Sequence, residues 1–220
     1  VSLHLLGRPC GSYNPVYIIR MNRLLRSLAP DVVHLHYSSL SRYLFYRGLK
    51  RRMCVTLHEM YRPEVVKRLD RSGPVFAISD MVREDIASKL GLEATTVYNG
   101  IYPEQLKRRL SDRKPSEPFS IVEVGRLFHP EKGQDILIRA VAALVGRGRN
   151  VRLTLIGEGN SRVFLESLIA ELGLGERVEL MGNMPQSYVL SHIADYDLFV
   201  QPSRLEGFGL TVAEAMAAGV

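Results

Sequence analysis

"FSIVEVGRLFHPEKGQDILIRAVAALVG", residues 119–146, opens as a β-branched run that a glycine ends at Gly125. It continues through a short irregular segment and then shows apolar residues at three- and four-residue spacing over 134–146. This is a strand followed by a helix, and the pattern repeats down the chain. Strand "VRLTLIG" (151–157) precedes helix 161–172, strand "RVELMG" (177–182) precedes helix 186–194, and strand "DLFVQPS" (197–203) precedes a helix from Thr211. Strand-helix repetition with short connections predicts a parallel sheet wound on both faces by helices.

The same alternation runs upstream. "DVVHLHYS" (31–38), "RMCVTLHE" (52–59), "PVFAIS" (74–79) and "TTVYN" (95–99) read as strands. Segments 15–28, 39–50 and 80–91 read as amphipathic helices, and 60–73 as a weaker, shorter one. Between the two sets, "LKRRLSDRKPSEP" (106–118) carries charge, two prolines and two serines, and reads as a linker; a long surface loop within one domain is the alternative. The expected organisation is therefore α/β with two Rossmann-like, doubly wound domains, 1–105 and 119–220, facing a cleft. Val1 already lies inside a structured-looking segment. The last helix finishes at Gly219, a C-terminal cap where another strand is due. Both domains thus look incomplete, the first at its start and the second at its end.

Apolar residues make up 46% of the 220 and charged ones 24%, the balance of a globular protein. No apolar run approaches the roughly 20 residues needed to cross a bilayer, and nothing at the start reads as a signal peptide. Cys10 and Cys54 lack paired spacing, which suits a reducing compartment and a cytoplasmic location. Charge is uneven: residues 1–114 carry a balance of +10 and residues 115–220 one of −4, which points to different partners for the two halves.

Open parallel sheets bind ligands beyond the carboxyl ends of their strands. In the second half those ends are Gly125-Arg126, Gly157-Glu158-Gly159, Gly182-Asn183 and Pro202-Ser203. Arg126 and Lys132 flank the entry to the helix that Gly133 opens, and two cations there suit a diphosphate. Two solvated surface cations would show the same spacing. Gly207, Phe208, Gly209 and Leu210 precede the last helix, so their N–H groups can also point at an anion. Glu206 and Glu214 bracket that helix start. Eight helical residues would separate them by about 80° and roughly 12 Å, enough to hold two ends of an extended ligand but not one atom. For Glu214, Thr211-Val212-Ala213-Glu214 also matches a capping box.

These residues resemble the C-terminal domain of the GT-B glycosyltransferases, in particular the retaining family 4 (glycosyl transferases group 1). The resemblance rests on "VGRL" followed by "EKG", on "LIGEG", "MGNM" and "FVQPSRLEGFGLTVAEAMAAG", and above all on Glu206-x7-Glu214. The first half is similar more loosely, through "VTLHEMY", "FAISD" and "VYNGI". The family's glycine-rich loop has no counterpart: "GRPCGS" (7–12) fits it poorly, so that loop is expected upstream of Val1. The resemblance implies a hexosyltransferase that uses a nucleotide-diphosphate sugar, keeps the anomeric configuration and needs no metal or other cofactor. Arg126 and Lys132 would hold the diphosphate, and Glu214 the ribose. Glu206, with the amides of Gly207 to Leu210, would face the donor sugar and its phosphate, with Gly125 and Gly157 lining the donor site. His58, from the other domain, would lie close to the transferred sugar.

The acceptor is expected to be an envelope glycan or a lipid-linked one. Arg20, Arg23 and Arg26, with Arg42, Arg47, Lys50, Arg51 and Arg52 around the aromatic run Tyr43 to Tyr46, suit anionic lipid headgroups and peripheral attachment to the inner face of a membrane. A solvated basic face is the alternative. No nucleic-acid module is visible. Asp195-Tyr196-Asp197 spells a metal-binding signature of other glycosyltransferases, but it precedes its strand and so lies roughly 16 Å from the crevice. A nucleotide-sugar epimerase of the same architecture and a non-catalytic sugar-nucleotide or lipid-binding module remain as rivals. "GEGNSR" lacks the third glycine of a dinucleotide fingerprint, which disfavours an oxidoreductase.

Overall fold

The computed structural model describes residues 3–7, 14–36, 38–60, 73–110 and 114–220. Its packing divides the chain into two units, Val1–Asn99 and Gly100–Val220.

In the first unit, β1 (Val33–Leu35), β2 (Met53–Leu57), β3 (Val75–Ala77) and β4 (Thr95–Thr96) form a parallel sheet in that order. Val33 and Leu35, Met53 and Val55, and Val75 and Ala77 are buried, while His34 between the first two is exposed. That alternation is the period of a strand with one face in a core. Among the described residues the unit's helices are α1 (Val16–Leu28), α2 (Arg47–Lys50) and α3 (Asp80–Leu90). The last starts where the Ser79 side chain accepts from Val82 N at 3.2 Å, and it stops at Gly91 in the left-handed region.

The helix expected over 39–50 is not continuous. Residues Ser38–Tyr43 form a 3-10 turn, the backbone then extends, and only α2 is helical. Buried Asn22, on α1, gives the physical reason. Its amide donates to Tyr43 O at 2.7 Å and its carbonyl accepts from Phe45 N at 2.8 Å. These are backbone groups a continuous helix would have used for itself, and Leu44 between them is driven into the core. The helix expected over 60–73 falls almost wholly outside the described residues, as does Cys10; Cys54 is a half-buried thiol.

In the second unit, β5 (Phe119–Val124), β6 (Val151–Ile156), β7 (Val178–Gly182) and β8 (Leu198–Phe199) lie in the order β7-β6-β5-β8, all parallel. Helices α4 (His129–Lys132), α5 (Gln134–Gly146), α6 (Arg162–Glu171), α7 (Gln186–His192) and α8 (Leu210–Ala218) connect and follow them. On one face, Ile121, Leu153 and Leu155 pack against Leu137, Ile138 and Val141 of α5 and Leu165 and Leu168 of α6. Each large aliphatic side chain so buried contributes about 2 kcal/mol. On the other face Val122 and Ile156 meet Val189 of α7. The doubly wound sheet read from the sequence is therefore present. The chain steps outward from β5 to β6 to β7 and then returns to β8 on the far side of β5, so the strand order reverses between β5 and β8. Ligand crevices form at such switch points.

The stretch expected to be a linker departs from that reading at its start. Leu106 is buried, Lys107 N donates to Leu190 O at 3.1 Å and Arg109 N donates to Ala218 O at 2.7 Å. The unit boundary falls earlier, at Asn99/Gly100, because this backbone caps the second unit's helices. Both acids of the Asp-x-Asp motif serve the same docking. Asp195 pairs with Lys107 at 2.6 Å, and Asp197 receives Arg109 at 3.4 Å. Asp197 also accepts from Ser116 N and Ser120 N at 3.1 and 2.9 Å, and from both serine hydroxyls.

Burial alone would raise the Asp197 pKa, but the donors from Ser116 and Ser120 outweigh it and hold the carboxyl down at about 2. Its folded value lies below its ordinary one. The stabilisation it supplies is therefore complete above about pH 4 and is lost as pH falls through about 2. Asp197→Ala is expected to cost about 3 kcal/mol at neutral pH, since it removes a fully buried carboxylate and strands the half-buried donors of Ser116 and Ser120 beside the Arg109 guanidinium. Urea unfolding at neutral pH measures the cost, and the same titration near pH 2 should find the variant and the parent much closer. Among the described residues, no helix is long and apolar enough to cross a membrane.

Candidate functional site

The β5/β8 switch point gathers the second unit's chemistry. Beyond β5 the chain passes Gly125 and Arg126, then enters α4, a four-residue helix with Pro130 in its first turn and Gly133, at φ +71°, closing it. Beyond β8 it passes Gln201, Pro202 and Ser203 toward α8. The two loops are bound together. Arg204 N donates to Glu131 O at 2.7 Å, the Arg204 guanidinium donates to His129 O at 2.7 Å, and it pairs with Asp135 at 3.2 Å. A Cβ on Gly133 would lie 2.2 Å from Pro202 O. Backbone contact that close is open only to glycine.

This packing brings Lys132 Nζ to 2.7 Å from Glu206 Oε2. The lysine side chain is only 17% exposed. Gln201 Nε2 and Ser203 Oγ donate to the same oxygen at 2.6 and 3.1 Å, and Thr211 Oγ1 donates to Gln201 Oε1 at 2.7 Å. Three side-chain donors thus fix Glu206 through one oxygen, and Oε1 lies outside that group. Arg126 stands differently. Its side chain is 61% exposed, lies over the Phe128 ring at 5.3 Å and meets Glu131 at 3.2 Å. The two cations read from the sequence as a convergent pair each carry a carboxylate partner instead. Their mutual repulsion is relieved by the protein itself.

Gly157 and Gly159 shape the turn from beneath. A Cβ on Gly157 would sit 1.9 Å from Gly125 O, and one on Gly159 would sit 2.4 Å from Leu127 O. Leu127 N donates to Glu158 O and Ser161 N to Leu127 O, both at 3.0 Å. Gly157 therefore acts through close packing against the Gly125–Arg126 backbone. Helix α8 starts at Leu210 behind Gly209 at φ +80°, so its first amides have no intrahelical acceptor. Because the helix begins one residue before Thr211, Glu214 does not occupy the capping-box position, and Gly209 offers no side chain to cap this helix. Glu214 is instead buried. Burial raises its pKa, opposed by a hydrogen bond with Gln186 of α7. It is not part of the Lys132–Glu206 group.

His58 belongs to the first unit, just past β2. Its Nε2 lies 2.9 Å from His36 Nδ1, and the His36 and His34 rings are 4.3 Å apart. His34 Nε2 meets Thr56 Oγ1 at 2.7 Å. Burial lowers the His58 pKa first, and the charges of His36 and His34 lower it further, which favours a neutral ring. Among the described residues, no three His, Cys, Asp or Glu side chains are grouped to hold a metal ion.

Sequence reasoning did not single out Gln201, placed Ser203 only as a strand end and took Thr211 only as a helix-cap candidate. The first two sit at a strand end with two-residue spacing, which places them on one side, and that signal was available.

A parallel sheet in this order, with a crevice at its switch point, defines the class of doubly wound α/β proteins but no particular activity. The family described as Glycosyl transferases group 1 matches residues 86–220 and Glycosyltransferase Family 4 matches residues 1–105, so the chain belongs to the glycosyl transferases group 1 family. Similar relatives include an alpha-D-kanosaminyltransferase of Streptomyces kanamyceticus, 31% identical over 98% of this chain and 56% of its own length. Another is a phosphatidylinositol N-acetylglucosaminyltransferase component of Arabidopsis thaliana, 25% identical over 94% of this chain and 49% of its own. The chain thus spans about half the length of these curated relatives. Among solved structures, Anabaena Alr3699/HepE in complex with UDP and glucose superposes with a TM-score of 0.74 at 21% identity, over 96% of this chain and 64% of that one. The pneumococcal O-GlcNAc transferase GtfA in complex with UDP and GlcNAc gives 0.68 at 19%, over 91% and 43%. These likenesses identify the two parallel-sheet units as those of a GT-B fold.

Proposed function

We propose that the full-length protein transfers a sugar from a nucleotide-diphosphate donor to an acceptor hydroxyl, with retention of anomeric configuration and without a metal ion. The observation that carries this reading is the Lys132–Glu206 ion pair at the β5/β8 switch point, beside the glycine-bracketed start of α8. Breaking a glycosidic bond to diphosphate leaves growing negative charge on the departing group. Preorganised donors at that position lower the barrier without reorganising. Lys132 supplies a partly buried cation, α8 supplies its N-terminal amides, and Arg126 supplies an exposed guanidinium able to swing from Glu131 onto a phosphate. Glu206, held through Oε2, offers Oε1 to a sugar hydroxyl. Glu214 is assigned to the ribose and His58 to the transferred sugar by the family resemblance alone.

An envelope or lipid-linked glycan is proposed as acceptor. Exposed Val16 and Ile19 beside Arg20 and Arg23 on α1 are compatible with a cytoplasmic protein resting on an anionic membrane surface.

Thermal unfolding of the full-length protein with a panel of nucleoside diphosphates tests the donor reading. At about 100 times its dissociation constant the matching diphosphate should stabilise by about 2.7 kcal/mol, while the bare nucleoside should leave the transition in place. Equal stabilisation by nucleoside and diphosphate would contradict a site built for the pyrophosphate.

A further inference from the structure

Glu123 lies on β5, two residues before the Gly125–Arg126 turn, with its side chain fully buried, as is that of Gln134 at the start of α5. Gln134 Nε2 donates to Glu123 Oε1 at 3.2 Å and to Arg126 O at 3.0 Å. The Arg126 carbonyl, which can only accept, fixes the amide orientation, because a flipped Gln134 would set oxygen against oxygen there. Two buried atoms are then left without a donor among the described residues, Glu123 Oε2 and Gln134 Oε1. An ionised Glu123 offers no remedy, since a carboxylate only accepts. A proton on Glu123 Oε2 would remove the buried charge and turn that oxygen into a donor for the amide oxygen of Gln134, whose own amide already donates to Oε1. Leaving Glu123 ionised and both oxygens unpaired would cost far more than binding that proton.

We propose that Glu123 is a positioning residue carried as the neutral acid, and that its reciprocal acid–amide pair with Gln134 holds the Gly125–Arg126 turn in place for the donor diphosphate. The consequence for the donor rests on the function proposed above; the acid–amide pair itself does not. Glu123 Oε1 also lies 3.0 Å from where a Cβ on Gly125 would be, so the carboxyl forms the floor of the turn.

The charged groups facing Glu123 are Lys132 from α4 and Glu206 from the loop after β8. Burial pushes the Glu123 carboxyl up to about 7, opposed by the Gln134 hydrogen bond and Lys132 and reinforced by Glu206. With the folded pKa above the ordinary one, the stabilisation is complete below about pH 4.5 and is lost as pH rises through about 7. Above that, a carboxylate under the turn competes with the diphosphate for Lys132.

The test compares the full-length parent with E123Q, E123L and Q134L. Glutamine at 123 presents an N–H where the acid presents its O–H, so E123Q keeps the pair without a titrating proton. Infrared difference spectra of parent against E123Q near pH 6 should contain a neutral carboxylic acid band, and that band should vanish as pH rises through about 7. Calorimetric titration with UDP should find the parent's affinity falling between about pH 6 and about pH 8 by roughly fivefold more than that of E123Q. E123L and Q134L should bind roughly tenfold more weakly than E123Q.

A missing acid band, identical pH dependence in parent and E123Q, or an E123Q protein that does not fold would overturn the pair. Absence of UDP binding at every pH would count against UDP as the donor nucleotide, while the acid band and the pH slope of thermal unfolding would still decide the pair.

Discussion

Lys132→Ala is expected to lower kcat/KM for sugar transfer by the full-length protein about a thousandfold, with its secondary structure intact. Removal of one preorganised donor from a developing anion costs about a hundred- to a thousandfold, and two features place Lys132 at the upper end. Its Nζ is mostly shielded from solvent, which strengthens its attraction for a diphosphate. Its loss also exposes the Glu206 carboxylate to the incoming phosphate, converting an attraction into a repulsion. The second feature makes the expectation specific. Glu206→Gln in the Lys132→Ala background removes that repulsion and should recover part of the donor affinity but not kcat. Steady-state kinetics on the two single variants and the double variant measure the coupling. Parental turnover by Lys132→Ala would refute the assigned role.

The second large effect is structural. Gly157→Ala is expected to destabilise the protein by about 4 kcal/mol, because the new methyl would stand 1.9 Å from Gly125 O at a backbone φ of +144°. Relief requires the Gly125–Arg126 turn to move, so residual folded protein should also bind donor poorly. Gly173→Ala is the control. Gly173 has φ +65° but nothing within 4 Å of the added carbon, so only backbone strain applies, about 1 kcal/mol. Urea unfolding of both variants separates contact from strain: similar losses would mean that the close approach at Gly157 carries no cost.

Much of this architecture is legible in the sequence. β5, β6 and β7 lie within a residue or two of their expected bounds because each is a short run with apolar residues that a glycine closes, β-branched in β5 and β6, and α5 and α6 follow from apolar spacing. Helix α4 escaped because four residues carry no period; only Pro130 and Gly133 mark it, and both also suit a loop. Residues 39–50 read locally as one helix because the residue that breaks it, Asn22, lies about twenty positions upstream.

The site divides the same way. Glycine positions and cations could be placed at strand ends by local pattern. The pairing of Lys132 with Glu206 could not, since it spans 74 positions and depends on β8 inserting beside β5. For the same reason spacing alone could not reveal that Asp195 and Asp197 are occupied by Lys107 and Arg109. Glu214 shows the limit of a one-dimensional motif: the capping box was present as letters, but the helix began one residue early and left the carboxyl facing Gln186.

The most direct test of the central claim, that the β5/β8 crevice holds the diphosphate of a sugar donor, is an amide-resonance titration of the full-length protein with the nucleoside diphosphate that stabilises it. Saturable shifts should concentrate at Gly125, Arg126, Lys132 and Gly207 to Leu210, and should disappear in Lys132→Ala. Shifts centred instead on the amino ends of β6 and β7, around Arg152 and Arg177, with the crevice amides unmoved, would contradict it.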